Sequence, residues 1–100
     1  MRKKLYVTDR KEVEMGLLDP FASGEQIRYY RRKCELSQED LSVIFEEYGV
    51  SVSRNSISNW ETGKKPISRD NAMLLAGIFG CEISELLISR RRAAELRARG

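Results

Sequence analysis

The segment 53–66 constrains the fold of this chain more than any other part of it. Ser53 is a residue type that favours a helix N-terminus, and Gly63 is typical of a helix end. Between these limits only Ile57 and Trp60 are large and apolar, and their i, i+3 spacing can bury one narrow edge. The pattern therefore predicts a short helix that packs on a core by one edge and exposes the rest of its surface.

The exposed part of this helix consists of short or forked hydrogen-bonding side chains, namely Arg54, Asn55, Ser56, Ser58 and Asn59. Asparagine is a poor helix former, so two asparagines in one short helix lower its intrinsic stability and indicate another role. Amide, hydroxyl and guanidinium groups are complementary to the base edges in a DNA major groove. DNA contact is the favoured interpretation, and ordinary solvent-exposed positions are the alternative.

Length and composition indicate one soluble globular domain. The chain has 100 residues, of which 41% are hydrophobic and 33% charged. No apolar run approaches the roughly 20 residues needed to span a bilayer. The N-terminus starts like a signal peptide, but the polar residues 8–12 end its apolar run at once. We therefore expect a cytoplasmic protein without a membrane partner.

The inventory of reactive side chains argues against an enzyme. The chain has no histidine, and Cys34 and Cys81 stand outside any CxxC pattern, so two buried or half-buried thiols are expected rather than a disulfide. Paired carboxylates, a glycine-rich phosphate loop and a metal-ligand cluster are also missing from the sequence. We expect no catalytic residue, metal site, cofactor or small-molecule substrate.

The positive charge is concentrated at the C-terminus. The net charge of the chain is +3, and the last fifteen residues hold five arginines and one acid. A basic segment of this kind is either a solvated helical tail, a nucleic-acid contact, or a helix that packs on a second subunit.

Capping signals and apolar spacing predict the first two helices. Ser23 with Gln26 has the pattern of a capping box, so helix one is predicted from about residue 24 to Lys33. The segment 37–40 is a second capping box, and apolar residues at helical spacing follow it over 41–48. Together these signals predict two consecutive helices before the segment 53–66.

Similar signals continue on both sides of these helices. Helix four is predicted to begin after Ser68 and to end at Gly80, and helix five to begin after Ser84. Residues 1–22 form an N-terminal extension, with strand-forming side chains near its start, a short helix that ends at Gly16, and then an apolar connector. The extension is either an arm across a dimer interface or a lid on the core.

These blocks, taken together, resemble the phage-repressor and Cro (Xre-like) helix-turn-helix family. The resemblance rests on IRYYR at 27–31, LSQEDL at 36–41, SISNWETGKKP at 56–66, LAGIFGC at 75–81 and LL at 86–87. Two places depart from the family pattern. The segment around 46–52 is longer than usual, which predicts a lengthened helix two and a looser turn. Glu35 stands where a glycine often ends helix one, so a strained left-handed residue or a different turn is expected there.

The resemblance implies an all-α fold: a compact five-helix domain over 23–88, preceded by the extension 1–22 and followed by a basic helical tail over 89–100. Helices two and three would form the helix-turn-helix motif, with helix three in the major groove.

The resemblance also implies residue roles. Arg54, Asn55 and Asn59 fall at positions that read bases. Contacts with the DNA backbone are implied for Gln38, Ser56, Thr62, Lys64 and Lys65. Arg31 and Glu61 match a pair that forms an internal salt bridge, and Gln38 also matches a residue that braces helix three.

The sequence thus predicts a sequence-specific regulator of transcription, most simply a repressor that binds a pseudo-palindromic site in double-stranded DNA as a homodimer. The alternative is an antitoxin or coactivator-like module that binds a protein partner through residues outside the motif. RNA is disfavoured because the major groove of A-form RNA is too narrow for a helix.

Overall fold

The structure of the protein, a computed structural model, describes residues 17–99. Six helices follow one another in this part: α1 Pro20–Lys33, α2 Gln38–Glu47, α3 Arg54–Glu61, α4 Arg69–Phe79, α5 Ile83–Leu86 and α6 Arg90–Arg99. The predicted all-α fold is confirmed. The strand-forming residues 5–8 and the short helix predicted to end at Gly16 lie outside the described residues. None of the helices in the described part has the length and apolar composition that crossing a bilayer requires.

Serine caps start three of the helices as predicted. The Ser37 hydroxyl accepts a hydrogen bond from the Asp40 amide at 2.9 Å, and the Asp40 carboxylate completes the capping box by accepting from the Ser37 amide. Ser53 and Ser68 cap α3 and α4 in the same way. These caps satisfy amides that the helix itself leaves unpaired.

Helix α1 begins earlier than predicted. Its N-cap is Asp19, whose carboxylate accepts from the amides of Phe21 and Ala22 at 2.9 Å, and Pro20 occupies the first position. The prediction that Ser23 caps helix one is wrong. Ser23 is buried, and its hydroxyl accepts from the Ile88 amide at 2.9 Å.

Two further predictions on helix ends have clear outcomes. Helix α5 begins after Glu82, not after Ser84, because Ile83 is already its first residue. Between α1 and α2, Glu35 adopts the left-handed conformation with φ 58°. The strained left-handed residue was one of the two turns that the sequence allowed there.

Helix α3 packs between α1 and α2 and shares their core. The largest fully buried side chains of the domain are Phe45, Ile27, Leu41, Ile57, Leu75 and Leu86. The Trp60 ring contacts Phe45, with ring centroids 5.9 Å apart. The apolar edge of α3, formed by Ile57 and Trp60, is therefore buried as predicted.

The loop that joins α2 to α3 covers residues 48–53. Gly49 takes a left-handed conformation directly after α2, where glycine has no steric penalty. The Ser42 hydroxyl donates to the Val52 carbonyl at 2.6 Å and thereby ties the loop to α2. This longer connection is consequently attached to α2 just before α3 begins.

The arginine-rich C-terminal segment is a helix packed on the domain. An isolated antiparallel bridge between Leu18 and Ser89 aligns the start of α6 with the segment before α1. Ala93 is buried, and the Arg97 guanidinium lies 2.9 Å from the Asp19 carboxylate. Helix α6 is thus attached to the same end of α1 that Asp19 caps.

Candidate nucleic-acid interface

Helix α3 presents one buried side and one polar side. Ile57, Trp60 and Glu61 are buried. On the other side Arg54 and Asn55 are exposed, and Asn59, one turn after Asn55, is half-buried. The three residues predicted to read bases therefore share one surface of α3.

A buried ion pair fixes the orientation of α3. The Arg31 guanidinium donates to both oxygens of Glu61, from Nε at 2.5 Å and from Nη2 at 3.0 Å. The hydrogen bond with Glu61, more than the charge itself, raises the pKa of Arg31, so this guanidinium stays charged. The arrangement joins the last turn of α1 to the last residue of α3.

Two more hydrogen bonds complete this network. Gln38 donates from Nε2 to Glu61 at 3.1 Å, and Arg31 donates from Nη1 to the Leu36 carbonyl at 2.8 Å. Glu61 thus receives donors from both α1 and α2. Because Gln38 is the first residue of α2, the same side chain lies at a helix start, where backbone amides are free to meet an anion.

Apart from Gln38, the residues predicted to contact the DNA backbone lie at the two ends of α3 or just after it. Ser56 lies in its first turn, where its hydroxyl accepts from the Ser53 hydroxyl at 3.1 Å. At the other end the Thr62 hydroxyl donates to the Ser58 carbonyl at 3.0 Å. Lys64 and Lys65 are exposed. The polar surface of α3 is therefore bordered by hydroxyl groups at both ends and by two cations after its C-terminus.

The close approach of α1 to α3 depends on Gly24, a residue to which the sequence analysis assigned no role in packing. A Cβ atom at this position would lie 2.4 Å from the Trp60 carbonyl oxygen and 2.6 Å from that of Glu61. A glycine inside an otherwise helical pattern is the sequence signal for such an approach.

Among residues 17–99 no group of carboxylates and cysteines has the arrangement of a metal site. Neither cysteine forms a disulfide, and Cys81 is half-buried as expected. Cys34 is exposed, so the expectation of burial is wrong for this residue, which lies at the C-cap of α1. Burial is the main cause that raises the pKa of the Cys81 thiol, so this group is held in its neutral form.

Comparison with known proteins agrees with this geometry. The family model described as "Helix-turn-helix" matches residues 27–86, more than half of the chain. The crystal structure of the DNA-binding domain of BldD is similar in fold, with a TM-score of 0.57 and 20% sequence identity over 69% of this chain and 93% of that one. None of the curated proteins compared with the chain matches it. The resemblance seen in the sequence is confirmed, and the chain belongs to the phage-repressor and Cro (Xre-like) type of the helix-turn-helix family of DNA-binding transcription regulators.

Proposed function

We propose that the protein is a sequence-specific regulator of transcription, most simply a repressor, that inserts α3 into the major groove of double-stranded DNA. The observation that carries this proposal is that the polar surface of α3 is held in place by hydrogen bonds from α1 and α2. Arg31 and Gln38 hold Glu61 from two sides. Rigid placement matters because readout of bases requires hydrogen-bond groups at fixed positions.

Arg54, Asn55 and Asn59 are the proposed base-reading residues. Within the described part of the chain, no hydrogen bond occupies the side-chain amides of Asn55 and Asn59, so both remain able to bind bases. Arginine pairs with guanine and asparagine with adenine, and each bidentate pair contributes about 1–3 kcal/mol of discrimination. Loss of one of these side chains should therefore relax the sequence preference at one position.

Gln38, Ser56, Thr62, Lys64 and Lys65 are the proposed contacts with the DNA backbone. The two lysines follow α3 directly and are exposed. Contacts with phosphates set the register of a protein on DNA without carrying sequence information. Loss of Lys64 should weaken binding to all sequences alike.

A single α3 reads too few base pairs for useful specificity. We therefore propose that two copies bind as a homodimer to a pseudo-palindromic site, with half-sites about 34 Å apart. The half-site spacing follows from the repeat of the major groove on one side of the duplex.

Selection of bound duplexes from a random library, at physiological salt, tests this function. The selection uses the wild type, Asn59→Ala and Lys64→Ala. Asn71→Ala is the matched control for the amide because Asn71 lies in α4, and Lys33→Ala, in α1, is the control for the cation. Affinities on the selected site are then measured as a function of salt.

We expect a two-fold symmetric site from the wild type. Asn59→Ala should relax one position in each half-site, whereas Lys64→Ala should preserve the preference and reduce the salt slope by about one. The two control variants should leave the sequence preference and the salt slope unchanged. If no site is enriched above non-specific binding, the repressor interpretation is wrong, and an antitoxin or coactivator-like function through a protein partner replaces it.

A further inference from the structure

The outer surfaces of α1 and α2 face away from α3. Tyr29 lies on the side of α1 opposite Ile27, which faces the core, and Val43 lies on the side of α2 opposite Phe45. Since α3 packs between these helices, the surfaces around Tyr29 and Val43 border different sides of the domain. The polar side of α3 is separate from both.

The first surface, the α1 face, is basic with an aromatic centre. Tyr29 is 54% exposed, and the groove around it is lined by Glu25, Arg28, Arg32 and Lys33. The Lys33 ammonium lies 5.8 Å from the centre of the Tyr29 ring, a cation–π contact. The face therefore has three cations, one acid and an exposed ring.

The second surface, the α2 face, is acidic with an aliphatic centre. Val43 is 51% exposed. The four positions next to it on the helix surface, at i−4, i−3, i+3 and i+4, are Glu39, Asp40, Glu46 and Glu47. Helix α2 contains no basic residue. The exposed valine is thus surrounded by carboxylates that nothing on the same helix neutralises.

We propose that the α1 face of one copy binds the α2 face of a second copy of this chain. Each face has one exposed apolar centre, and the charges around the two centres are opposite. Pairing of either face with itself would oppose like charges, which disfavours the contact. Among the described residues, Arg28 and Arg32 form no ion pair within the monomer, and neither do Glu46 and Glu47.

This contact is heterologous because it joins two different faces. A pair of copies therefore keeps one free face at each end and can bind further copies. The contact is also based mainly on exposed charges, which are screened by salt, and it is therefore weak for free copies in solution. Provided that the proposed DNA-binding function holds, the contact would join neighbouring copies on adjacent sites, where local concentration is high. The polar side of α3 takes no part in it.

Charge reversal in the full chain, without DNA, tests the contact. One variant carries Arg32→Glu with Lys33→Glu, and another carries Glu46→Lys with Glu47→Lys. Association at low salt is followed by sedimentation and by concentration-dependent amide shifts in NMR spectra. Arg91→Glu with Arg92→Glu is the control, since these exposed arginines lie on α6 and outside both faces.

We expect the wild type to associate at low salt, with shifts confined to α1 and α2. Each reversed variant alone should associate about tenfold more weakly, because like charges then meet at the contact. An equimolar mixture of the two reversed variants should recover association, since each again finds a face of opposite charge. The α6 control should associate as strongly as the wild type, because its α1 and α2 faces are both unchanged.

A second pair of variants tests the apolar centres without a change of charge. Tyr29→Ser and Val43→Ser should each weaken association, and Met73→Ser, at an equally exposed site on α4, should not. A monomeric wild type, a mixture without recovery, or equal effects of the three serine variants would each overturn the proposal. Because no DNA is present, failure to select a DNA site leaves these results unchanged.

Discussion

The Arg31 guanidinium meets the Glu61 carboxylate in a two-fold hydrogen-bonded pair, with Nε 2.5 Å from Oε2 and Nη2 3.0 Å from Oε1. Both side chains are largely buried, at 10% and 3% exposure. A buried pair of this kind adds little net stability over an apolar pair, but removal of one partner leaves an uncompensated charge. The pair therefore fixes the position of α3 more than it stabilises the fold.

Arg31→Met should lower the free energy of unfolding by about 3–5 kcal/mol, because Glu61 is then buried without its partner. The double change Arg31→Met with Glu61→Met should lose less than the sum of the two single changes. Urea unfolding measures both. Arg32→Met, at the exposed neighbouring position, is the control and should stay within about 0.5 kcal/mol of the wild type. A loss below that level for Arg31→Met would show that the charge on Glu61 remains solvated.

Alanine substitutions at Gly24 and Gly77 should change the stability in opposite directions, because only Gly24 lies against a neighbouring helix. Gly24→Ala would place a methyl group against the backbone of α3, and overpacking of this kind costs about 1–3 kcal/mol. Gly77→Ala meets open space in the interior of α4, so it should gain up to about 1 kcal/mol from the higher helix propensity of alanine. Thermal or urea unfolding gives the sign of each change. Equal signs would contradict the role assigned to Gly24.

The elements that could be predicted from sequence are those determined by local signals. Ser37, Ser53 and Ser68 cap their helices with hydrogen bonds that reach only three residues along the chain. The spacing of Ile57 and Trp60 was enough to predict the buried edge of α3, because helical geometry alone places them together. The roles of individual residues on DNA remain predictions until binding is measured.

What the sequence did not reveal depends on contacts between distant segments. Ser23 has the capping-box pattern in the sequence. In the structure Ser23 is buried, and its hydroxyl accepts a hydrogen bond from the amide of Ile88, 65 residues away. Asp19 caps α1 in its place. The packing of α6 on α1 has the same origin, since arginine content alone does not distinguish a solvated tail from a docked helix.

The stability that Asp19 gives to the start of α1 depends on pH. Hydrogen bonding from the Ala22 amide is the largest cause that lowers the pKa of Asp19, and Arg97 lowers it further. A carboxyl group with a lowered pKa in the folded state stabilises the protein above its usual pKa near 4, and this stabilisation is lost as the pH falls through the lowered value.

Asp19→Asn tests this dependence, because asparagine keeps a capping oxygen but has no charge. The variant should be less stable than the wild type at neutral pH, and the difference should vanish as the pH falls through the lowered pKa of Asp19. Unfolding by urea across this range measures the difference. Asp70→Asn, another carboxylate in the first turn of a helix, is the control. A difference for Asp19→Asn that persists at low pH would assign the effect to hydrogen-bond geometry and not to charge.

The attachment of α6 can be tested at two adjacent alanines. Ala93 is 4% exposed, whereas Ala94 is exposed to solvent. Ala93→Glu would place a carboxylate against α1, near the groove lined by Phe21, Ala22 and Leu96, and this change should detach α6 and lower the free energy of unfolding by about 1–3 kcal/mol. Ala94→Glu should stay within about 0.5 kcal/mol of the wild type. Trypsin cleavage at the arginines of α6 gives an independent readout, because detachment exposes their backbone to the protease. Faster cleavage in Ala93→Glu than in Ala94→Glu would support a docked helix, and equal rates would show that α6 is a solvated tail.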